Sequence, residues 1–487
     1  MKKRIDDLLH LLDRYELVKA VSGAALGLQI ENVVTDSRYV VQGSLFVCKG
    51  NGFKPEYLGE AIKKGAVSYI SEEIYSNEIP CISVTDVRKA LSIASRWYYD
   101  FSGDDMSLVG VTGTKGKTST SYILKTILDE EKSNNTALFS TVGVEICNEF
   151  HVTHLTTPES IDVQRYYKEA KDAGCHNVVM EVSSQAMKYD RLYGQDFSIG
   201  IFLNIDRDHI GENEHANMEE YLNCKIAFLK KCNTVIINKQ TKHFKKILSA
   251  VKDRNIILIG RDDKEADVNI SNIKRDESGS TFTLTYDGMS LELTTNMIGD
   301  FNIDNISAAV VAALKMNVST DTIKKAVTDI HVPGRMMFYK HKGIDIVVDY
   351  AHNKLSVQNL YKTVVDEFKP KKIISVFGCS GERSKVRRKD LGTLADEYSD
   401  VIYLTADDPG NENVMDICDE IKTYIERPCY EIEDREEAVI RALNSANSGE
   451  AVIIYGKGMD DSQRVNGVFI PYKSDASVVE EWMKENI

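Results

Sequence analysis

A glycine-rich segment after an apolar run has the residue types that bind phosphate. The run MSLVGVT leads into GTKGKTS and then into a helix-forming stretch. In such a strand–loop–helix arrangement, backbone N–H groups and the helix N-terminus face phosphate oxygens. Lys117 is placed to neutralise the β- and γ-phosphates, and the Thr118 hydroxyl to coordinate Mg²⁺. The segment predicts an ATP site formed by Gly113, Thr114, Lys115, Gly116, Lys117, Thr118 and Ser119.

The glycine spacing of this segment departs from the standard phosphate loop. Val111 stands where the first glycine is expected, and Gly110 and Gly113 lie on either side of it. On these residues alone, a glycine- and threonine-rich turn of an α/β domain remains an alternative. A dinucleotide-binding loop is disfavoured, because no acidic residue ends a second strand about 20 residues further on.

Two further apolar runs end in residues that ligate metals. HNVVME ends in Glu181, and FSIGIFLNIDRDH ends in His209. The carboxyl ends of parallel strands meet at one edge of a sheet, so both residues are expected beside the phosphate loop. We predict that Glu181 and His209 ligate Mg²⁺ together with Thr118 and nucleotide oxygens. Taken alone, His209 would instead be a hydrogen-bonded loop histidine.

Short apolar runs alternate with amphipathic stretches along the whole chain, which is typical of repeated βα units. The predicted class is α/β, with parallel sheets and three domains. Residues 1–104 form an α/β substrate domain, residues 105–332 a central phosphate-loop ATPase domain, and residues 333–487 a Rossmann-like domain. A β-rich segment is expected within the central domain, near residues 267–294.

The composition limits the partners that the protein can have. The 487 residues carry a net charge of −14, which argues against non-specific binding to nucleic acid or to anionic membranes. No apolar run reaches the roughly 18 residues that a membrane span needs. Nine scattered cysteines without a Cys-x-x-Cys pair indicate reduced thiols, no zinc site and a cytoplasmic location.

Other short motifs occur along the chain, before and after the phosphate loop. They are DSR at 36–38, TTPES at 156–160, EVSSQ at 181–185, NIDRDH at 204–209, YLNCK at 221–225, GDFNIDN at 299–305, PGR at 333–335, DYAHN at 349–353, FGCSGER at 377–383 and DDPGNE at 407–412. In this order the motifs resemble those of the Mur ligase family, the amide-forming enzymes of peptidoglycan precursor synthesis. The combination of DSR, TTPE and DxP resembles the MurE type, which adds the third residue of the stem peptide.

The resemblance implies a reaction and a catalytic set. ATP would convert the carboxylate of UDP-MurNAc-L-Ala-D-Glu into an acyl phosphate, which a free amino acid attacks through its amine, leaving ADP and phosphate. The catalytic residues implied are Lys117, Glu181, His209 and Lys225, and the metal ligands are Thr118, Glu181, His209 and a carbamylated Lys225. Judged without the resemblance, Lys225 would be a solvated helix lysine.

The resemblance also implies three groups of substrate contacts. The UDP-substrate contacts are Ser37, Arg38, Thr156, Thr157, Ser183 and Arg191. The additional nucleotide contacts are Asn302, Asn305, Arg335, Asp349 and His352. The amino-acid contacts are Arg388, Asp407, Asp408, Gly456 and Asp460. The segment NGFKPEYL departs from the family's Asp-Gly-His pattern. Judged without the resemblance, Arg388 would be a solvated residue at the start of a helix.

Differences in the amino-acid motifs favour one kind of substrate. Ligases that add meso-diaminopimelate have an arginine after the DxP proline, whereas this chain has Gly410. Asp408 adds negative charge suited to an ammonium, and GKGMD replaces the family's GKGHE. These changes favour L-lysine, with meso-diaminopimelate as the alternative. A catalytically degenerate nucleotide-binding scaffold is an alternative of another class, and the N-terminal DSR domain disfavours a folylpolyglutamate synthetase.

Overall fold

The computed structural model describes residues 3–50, 52–100, 106–133, 135–147, 149–153, 155–211, 214–276, 279–334, 336–382 and 385–486. The chain forms two compact units. The first consists of Met1–Asn269, Thr285–Met289 and Ser307–Ile323, and the second of Ile270–Leu284, Ser290–Ile306 and Lys324–Ile487.

Residues 3–100 of the first unit form a small α/β layer. Its elements are β1 (Lys3–Arg4), α1 (Ile5–Arg14), β2 (Val18–Ser22), β3 (Gln29–Ile30), β4 (Asn32–Val34), a 3₁₀ helix (Ser37–Tyr39), β5 (Ser44–Val47), α2 (Pro55–Lys63), β6 (Ala66–Ser71), β7 (Cys81–Val84) and α3 (Val87–Tyr99). The sheet order is β2-β7-β6-β5-β4, with β4 to β7 parallel and β2 antiparallel. Apolar residues of α1 and α3 pack on one face of this sheet.

Residues 106–261 of the first unit contain the predicted parallel sheet. Its elements are β8 (Ser107–Thr112), α4 (Lys117–Glu131), β9 (Thr136–Phe139), β10 (Val144–Ile146), β11 (Glu149–His151), α5 (Ser160–Asp172), β12 (Asn177–Glu181), α6 (Ser184–Lys188), β13 (Phe197–Phe202), α7 (Met218–Leu229), β14 (Cys232–Asn238), α8 (Phe244–Ala250) and β15 (Asn255–Arg261). The strand order is β11-β10-β9-β12-β8-β13-β14-β15, and the run from β9 to β15 is parallel.

The register of this sheet sets the position of the site. Glu181 of β12 pairs with Val111 of β8, and Phe202 of β13 pairs with Thr112. The three strands therefore end at one edge, where the loops after them converge. The strands are rich in β-branched residues and are buried on both faces, as expected for parallel strands covered by helices.

The predicted β-rich segment is present as β16 (Val268–Asp276), β17 (Gly279–Tyr286) and β18 (Met289–Thr295), which are neighbours in this order. The helices α9 (Asp300–Lys315) and α10 (Thr320–Thr328) follow.

The rest of the second unit is a doubly covered sheet. Its elements are β19 (Met337–His341), β20 (Ile344–Asp349), α11 (Lys354–Phe368), β21 (Ile373–Phe377), α12 (Val386–Tyr398), β22 (Val401–Leu404), α13 (Val414–Lys422), β23 (Cys429–Glu431), α14 (Arg435–Ser445), β24 (Ala451–Tyr455), β25 (Ser462–Val465), β26 (Val468–Pro471) and α15 (Asp475–Glu485). The order is β19-β20-β24-β21-β22-β23, parallel except for β19, with an apolar core on each face.

The predicted α/β class is confirmed by these sheets. The predicted domain boundaries stay predictions, and the first of them falls on residues 101–105, outside the described part of the chain. Within the described ranges, no helix has both the length and the apolar character that crossing a membrane requires.

Candidate active site

The phosphate loop joins the central strand of the parallel sheet to a helix. β8 ends at Thr112, and α4 begins at Lys117. Gly116, immediately before the helix, has φ = 84°, a left-handed conformation that glycine adopts without steric cost. The backbone N–H groups at the start of α4 carry the positive end of the helix dipole, which favours an anion.

Asn204, which follows β13, fixes the shape of this loop. Its side-chain Oδ1 accepts from the Lys115 N–H at 2.9 Å, and its Nδ2 donates to the Lys115 carbonyl at 3.0 Å. The Thr114 N–H donates to the Asn204 carbonyl at 3.0 Å. The loop is thus preorganised by a residue that the sequence analysis did not select, although Asn204 lies within the NIDRDH motif.

Two lysine side chains meet at a single loop carbonyl. Lys117 Nζ donates to the Gly113 oxygen at 3.0 Å, and Lys225 Nζ donates to the same oxygen at 2.9 Å. Lys225 lies on α7, more than 100 residues away along the chain, and only 2% of its surface is exposed. The interpretation of Lys225 as a solvated helix lysine is therefore wrong.

The surroundings of Lys225 favour its neutral form. Burial lowers the pKa of this amine well below its usual value, the ammonium of Lys117 lowers it further, and Asp208 opposes the shift. The Lys225 nitrogen lies 4.8 Å from the centroid of the Tyr221 ring. The Tyr221 hydroxyl in turn is 3.0 Å from the Thr114 hydroxyl, so α7 is attached to the phosphate loop at two points.

Glu181 lies at the end of β12, as predicted, and is fully buried. Its carboxylate accepts from the Thr141 N–H at 2.8 Å and from the Thr141 hydroxyl at 3.1 Å. The Thr141 hydroxyl oxygen also lies 3.1 Å from the Thr156 hydroxyl, which connects the carboxylate to the predicted UDP-substrate residues. A buried carboxylate at a sheet edge next to a phosphate loop is a suitable ligand for Mg²⁺.

His209 follows β13 in a left-handed turn with φ = 53°. Its Nδ1 lies 3.1 Å from a Glu214 carboxylate oxygen, and its Nε2 lies 3.8 Å from Asp208. Over the described ranges, no three His, Cys, Asp or Glu side chains are placed to hold a metal ion together. The set of Thr118, Glu181, His209 and Lys225 as Mg²⁺ ligands, completed by phosphate and water oxygens, stays a prediction.

The predicted UDP-substrate residues fall into two groups. In the first, the Thr157 hydroxyl donates to the Glu181 carbonyl at 2.7 Å and accepts from the Ser183 N–H at 3.0 Å, while Arg191 donates to the Thr157 carbonyl at 3.0 Å. These contacts place Thr156, Thr157, Ser183 and Arg191 around one turn. The guanidinium of buried Arg191 also lies 3.2 Å from the Glu159 carboxylate.

Glu159 links this turn to the N-terminal region. Its carboxylate pairs with Lys49 at 2.5 Å. Burial raises the pKa of Glu159, but the positive charges of Lys49 and Arg191 outweigh it, so the pKa lies below the usual value. Ser37 and Arg38 form the second group, where Ser37 donates to Glu60 at 2.9 Å and Arg38 pairs with Asp36 at 2.6 Å. The sequence analysis missed Lys49, which lies just after β5, because its partner Glu159 is 110 residues away.

The additional nucleotide residues lie in the second unit. Asn302 donates to the Ile298 carbonyl at 2.8 Å and accepts from Asn305 at 3.2 Å, and both are buried. Asp349 accepts from the N–H groups of Met336 at 2.7 Å and Ala351 at 2.6 Å. His352 Nδ1 lies 2.9 Å from the Tyr350 carbonyl. Arg335 lies outside the described residues.

The predicted amino-acid residues surround a buried lysine. Lys457, only 2% exposed, lies 2.9 Å from Asp408 and 3.2 Å from Asp460. Burial alone would lower the pKa of Lys457, but Asp407, Asp460 and Asp408 outweigh it and raise the pKa. The Lys457 ammonium therefore already pairs with Asp408, the carboxylate that the sequence analysis assigned to the ammonium of an incoming lysine.

Asp407 is buried close to the ion pair of Arg435 and Asp475. Burial raises its pKa to about 6, against the attraction of Arg435 and Lys457. Arg435 is itself buried, forms two 2.8 Å bonds to Asp475, and donates to the carbonyls of Ala406 and Tyr455 at 3.0 Å. Gly456 is required here because a Cβ would lie 2.6 Å from the Asp407 carboxylate.

Arg388 is also buried, with 2% of its surface exposed, so its interpretation as a solvated helix start is wrong. Its guanidinium pairs with Glu412 at 2.7 Å and with Glu420 at 2.5 Å. Glu412 belongs to the DDPGNE motif, so Arg388 fixes the loop that follows Asp407 and Asp408.

Comparisons with known proteins agree with this geometry. The Mur ligase middle domain family matches residues 111–313, and the Mur ligase, glutamate ligase domain family matches residues 334–458. A UDP-N-acetylmuramyl-tripeptide synthetase of Lactobacillus delbrueckii subsp. bulgaricus is 39% identical over 94% of both chains. A UDP-N-acetylmuramoyl-L-alanyl-D-glutamate–L-lysine ligase of Streptococcus thermophilus is 36% identical over 94% of both chains.

A solved structure shows that the fold is shared along the whole chain. A UDP-N-acetylmuramoyl-L-alanyl-D-glutamate–2,6-diaminopimelate ligase superposes with a TM-score of 0.71, covering 100% of this chain and 99% of that one at 24% identity. The two family matches and the identity to the relatives show the family, and the phosphate loop with the buried Glu181 and Lys225 is consistent with it. The chain therefore belongs to the Mur ligase family of ATP-dependent ligases that act in peptidoglycan precursor synthesis.

Proposed function

We propose that the protein adds a diamino acid, with L-lysine favoured, to the D-glutamyl carboxylate of UDP-MurNAc-L-Ala-D-Glu at the expense of ATP. The observation that carries the ligase reaction is the convergence of Lys117 and Lys225 on the Gly113 carbonyl of the phosphate loop. The names of the relatives from Lactobacillus delbrueckii and Streptococcus thermophilus support the addition of a third residue and the choice of lysine. The nine scattered cysteines, among which no Cys-x-x-Cys pair occurs, support a cytoplasmic location.

The loop residues explain how ATP would be activated. The backbone N–H groups at the start of α4 would hold the phosphates, and the Lys117 ammonium would neutralise charge on the transferring phosphoryl group. Thr118 and Glu181 would hold Mg²⁺, which supplies Lewis-acid stabilisation of that charge when bound. Attack of the glutamyl carboxylate on the γ-phosphorus gives the acyl phosphate and ADP. The substrate amine then displaces phosphate, and no enzyme nucleophile is required.

Lys225 is proposed to act as a carbamate. Only a neutral amine adds to CO₂, and burial lowers the pKa of Lys225 in the direction that this reaction requires. The amine nitrogen forms a bond to the carbon of CO₂, and one proton leaves to solvent, which produces an anionic oxygen ligand. Such a group would attract a cation beside Glu181, whereas an ammonium would repel it.

His209 and the remaining predicted residues complete the proposal. His209 is assigned to the metal side of the site, and Thr156, Thr157, Ser183, Arg191, Ser37 and Arg38 to the UDP-substrate. Asn302, Asn305, Arg335, Asp349 and His352 are assigned to the nucleotide, and Arg388, Asp407, Asp408, Gly456 and Asp460 to the amino acid.

A product assay tests this function. Purified protein is given ATP, Mg²⁺, UDP-MurNAc-L-Ala-D-Glu and equal concentrations of lysine, meso-diaminopimelate and ornithine, and the products are resolved by mass spectrometry. We expect the lysine product to dominate. A dominant diaminopimelate product would overturn the choice of amino acid, and the absence of amine-dependent phosphate release would favour the scaffold alternative.

The carbamate has its own experiment. Lys225→Ala should be nearly inactive and partly rescued by short carboxylic acids, which replace the missing anionic ligand. The rescue should be specific, so Lys117→Ala serves as the control that the same acids do not restore. Full activity of Lys225→Ala would contradict the proposal.

A further inference from the structure

Gly410 lies next to a carboxylate of its own chain. Its φ is +63°, and a Cβ at this position would lie 2.8 Å from a carboxylate oxygen of Glu382. Glu382 belongs to the FGCSGER loop after β21, which packs against the DDPG loop so closely that Gly381 donates to the Asp408 carbonyl at 3.0 Å. The space beside Gly410 is therefore bordered by Glu382.

The guanidinium of Arg464 pairs with the Glu382 carboxylate. Arg464 of β25 donates from its Nη2 to Glu382 Oε2 at 2.8 Å. The backbone of Arg464 is attached to the DDPG loop, because its N–H donates to Asp408 at 2.9 Å and its carbonyl accepts from the Gly410 N–H at 3.0 Å. Arg464 thus presents, next to Gly410, the type of group that the DxP loop itself lacks.

Glu382 is held in place at three points. Its second carboxylate oxygen accepts from the Asn411 side chain, and its backbone N–H donates to Glu412 at 2.6 Å. Glu412 is itself paired with the buried Arg388 at 2.7 Å. The side chains of Arg464 and Glu382 remain 37% and 34% exposed, so a small molecule can approach this pair.

We infer that Glu382 is a specificity-determining residue that occupies the Arg464 guanidinium beside Gly410 and so excludes an amino acid carrying a second carboxylate. This inference rests on the proposed function, in which the incoming amino acid binds at the DDPG loop. An internal carboxylate already satisfies the guanidinium, and a substrate carboxylate would meet negative charge there. A diamino acid whose distal end carries an ammonium and no carboxylate does not meet this repulsion.

Replacing Glu382 and replacing Arg464 should change the preference for lysine over diaminopimelate in different ways, and this difference provides the test. We measure kcat/KM for lysine and for meso-diaminopimelate in wild type, Glu382→Gln, Arg464→Gln and the double variant. Glu382→Gln frees the guanidinium and should lower the lysine-to-diaminopimelate ratio about tenfold. Arg464→Gln leaves the repelling carboxylate in place and should keep or raise the ratio, and the double variant should return it towards that of wild type.

Glu437→Gln is the matched control, because it also removes one carboxylate from a Glu–Arg pair, but within α14. It should leave the ratio unchanged. If wild type uses lysine and Glu382→Gln does not lower the ratio, the inference fails while the proposed function stands. If wild type prefers diaminopimelate, the proposed amino acid fails. Should Glu382→Gln not fold, a fall of the ratio in Arg464→Gln overturns the inference.

Discussion

Two buried lysines, one in each unit, have opposite electrostatic surroundings. Lys225 and Lys457 are both 2% exposed. Lys225 contacts the Gly113 carbonyl at 2.9 Å and the Tyr221 ring, and its pKa lies well below the usual value. Lys457 lies among Asp407, Asp408 and Asp460, and its pKa is raised. Equal burial thus goes with a lowered lysine pKa in one place and a raised lysine pKa in the other.

The difference shows that the partners of a buried amine decide what it can do. Dipoles of carbonyl groups and an aromatic face do not compensate for the loss of water around a full charge, so the pKa of Lys225 is lowered, as the proposed carbamate requires. Three carboxylates do compensate, so Lys457 has a positioning role, in which it holds together the DDPG and GKG loops. The following variants test this contrast.

The largest expected effect is on stability. Lys457→Met leaves the aspartates around it without their cation, and removing one partner of a buried charge pair costs about 3–5 kcal/mol. Lys225→Met removes an amine whose burial is already unfavourable, so its free energy of unfolding should be unchanged or higher than that of wild type. Urea unfolding of both variants at pH 7 checks this. Equal destabilisation of the two would contradict the contrast.

A second variant separates activity from stability within the phosphate loop. Lys117→Ala removes the ammonium that faces the phosphates, so ligation should fall at least about a hundredfold. Because Lys117 is only half-buried and contacts loop carbonyls, the melting temperature should stay close to that of wild type. Turnover near the wild-type level at an unchanged melting temperature would remove Lys117 from the ATP site.

The smallest expected effect is the pH-dependent contribution of Asp407 to the free energy of unfolding. Its pKa of about 6 in the folded protein lies above the ordinary 3.8, so the folded state binds the proton more tightly. The stability that this group contributes is complete below pH 3.8 and is lost as the pH rises through about 6. Asp407→Asn should therefore be more stable than wild type at pH 7 by roughly 1–3 kcal/mol, with a smaller difference at pH 4.

Exposed Asp461 provides the control for that experiment. Asp461→Asn should change the unfolding free energy little at either pH. A difference between Asp407→Asn and wild type that grows as the pH falls would reverse the predicted sign and contradict the buried-charge interpretation.

The sequence was sufficient for features that are local or periodic. The apolar run before Gly113 predicted β8 and the phosphate loop, and the ends of two other apolar runs placed Glu181 and His209 at the same sheet edge. The DxP motif directed attention to Gly410. The first two predictions depend on neighbouring residues and on the rule that parallel strands share one direction, whereas the attention to Gly410 came from the resemblance to the ligase family.

What the sequence could not show depends on pairs that are distant along the chain. The burial of Lys225 arises because α7 packs over Gly113, 112 residues away. The pair of Glu382 and Arg464 spans 82 residues, and Lys457 meets Asp408 across 49. A lysine or arginine is usually solvated, so its residue type gives no sign that folding will bury it or supply its partner.

One measurement tests the central proposal, that Lys225, whose pKa is lowered, reacts with CO₂, while Lys457, whose pKa is raised, does not. Wild type, Lys225→Met and Lys457→Met are equilibrated with ¹³C-labelled bicarbonate and examined by ¹³C NMR for a protein-bound carbamate. We predict one carbamate signal in wild type that persists in folded Lys457→Met and is lost in Lys225→Met. A signal that survives in Lys225→Met, or no signal in wild type, would contradict the account.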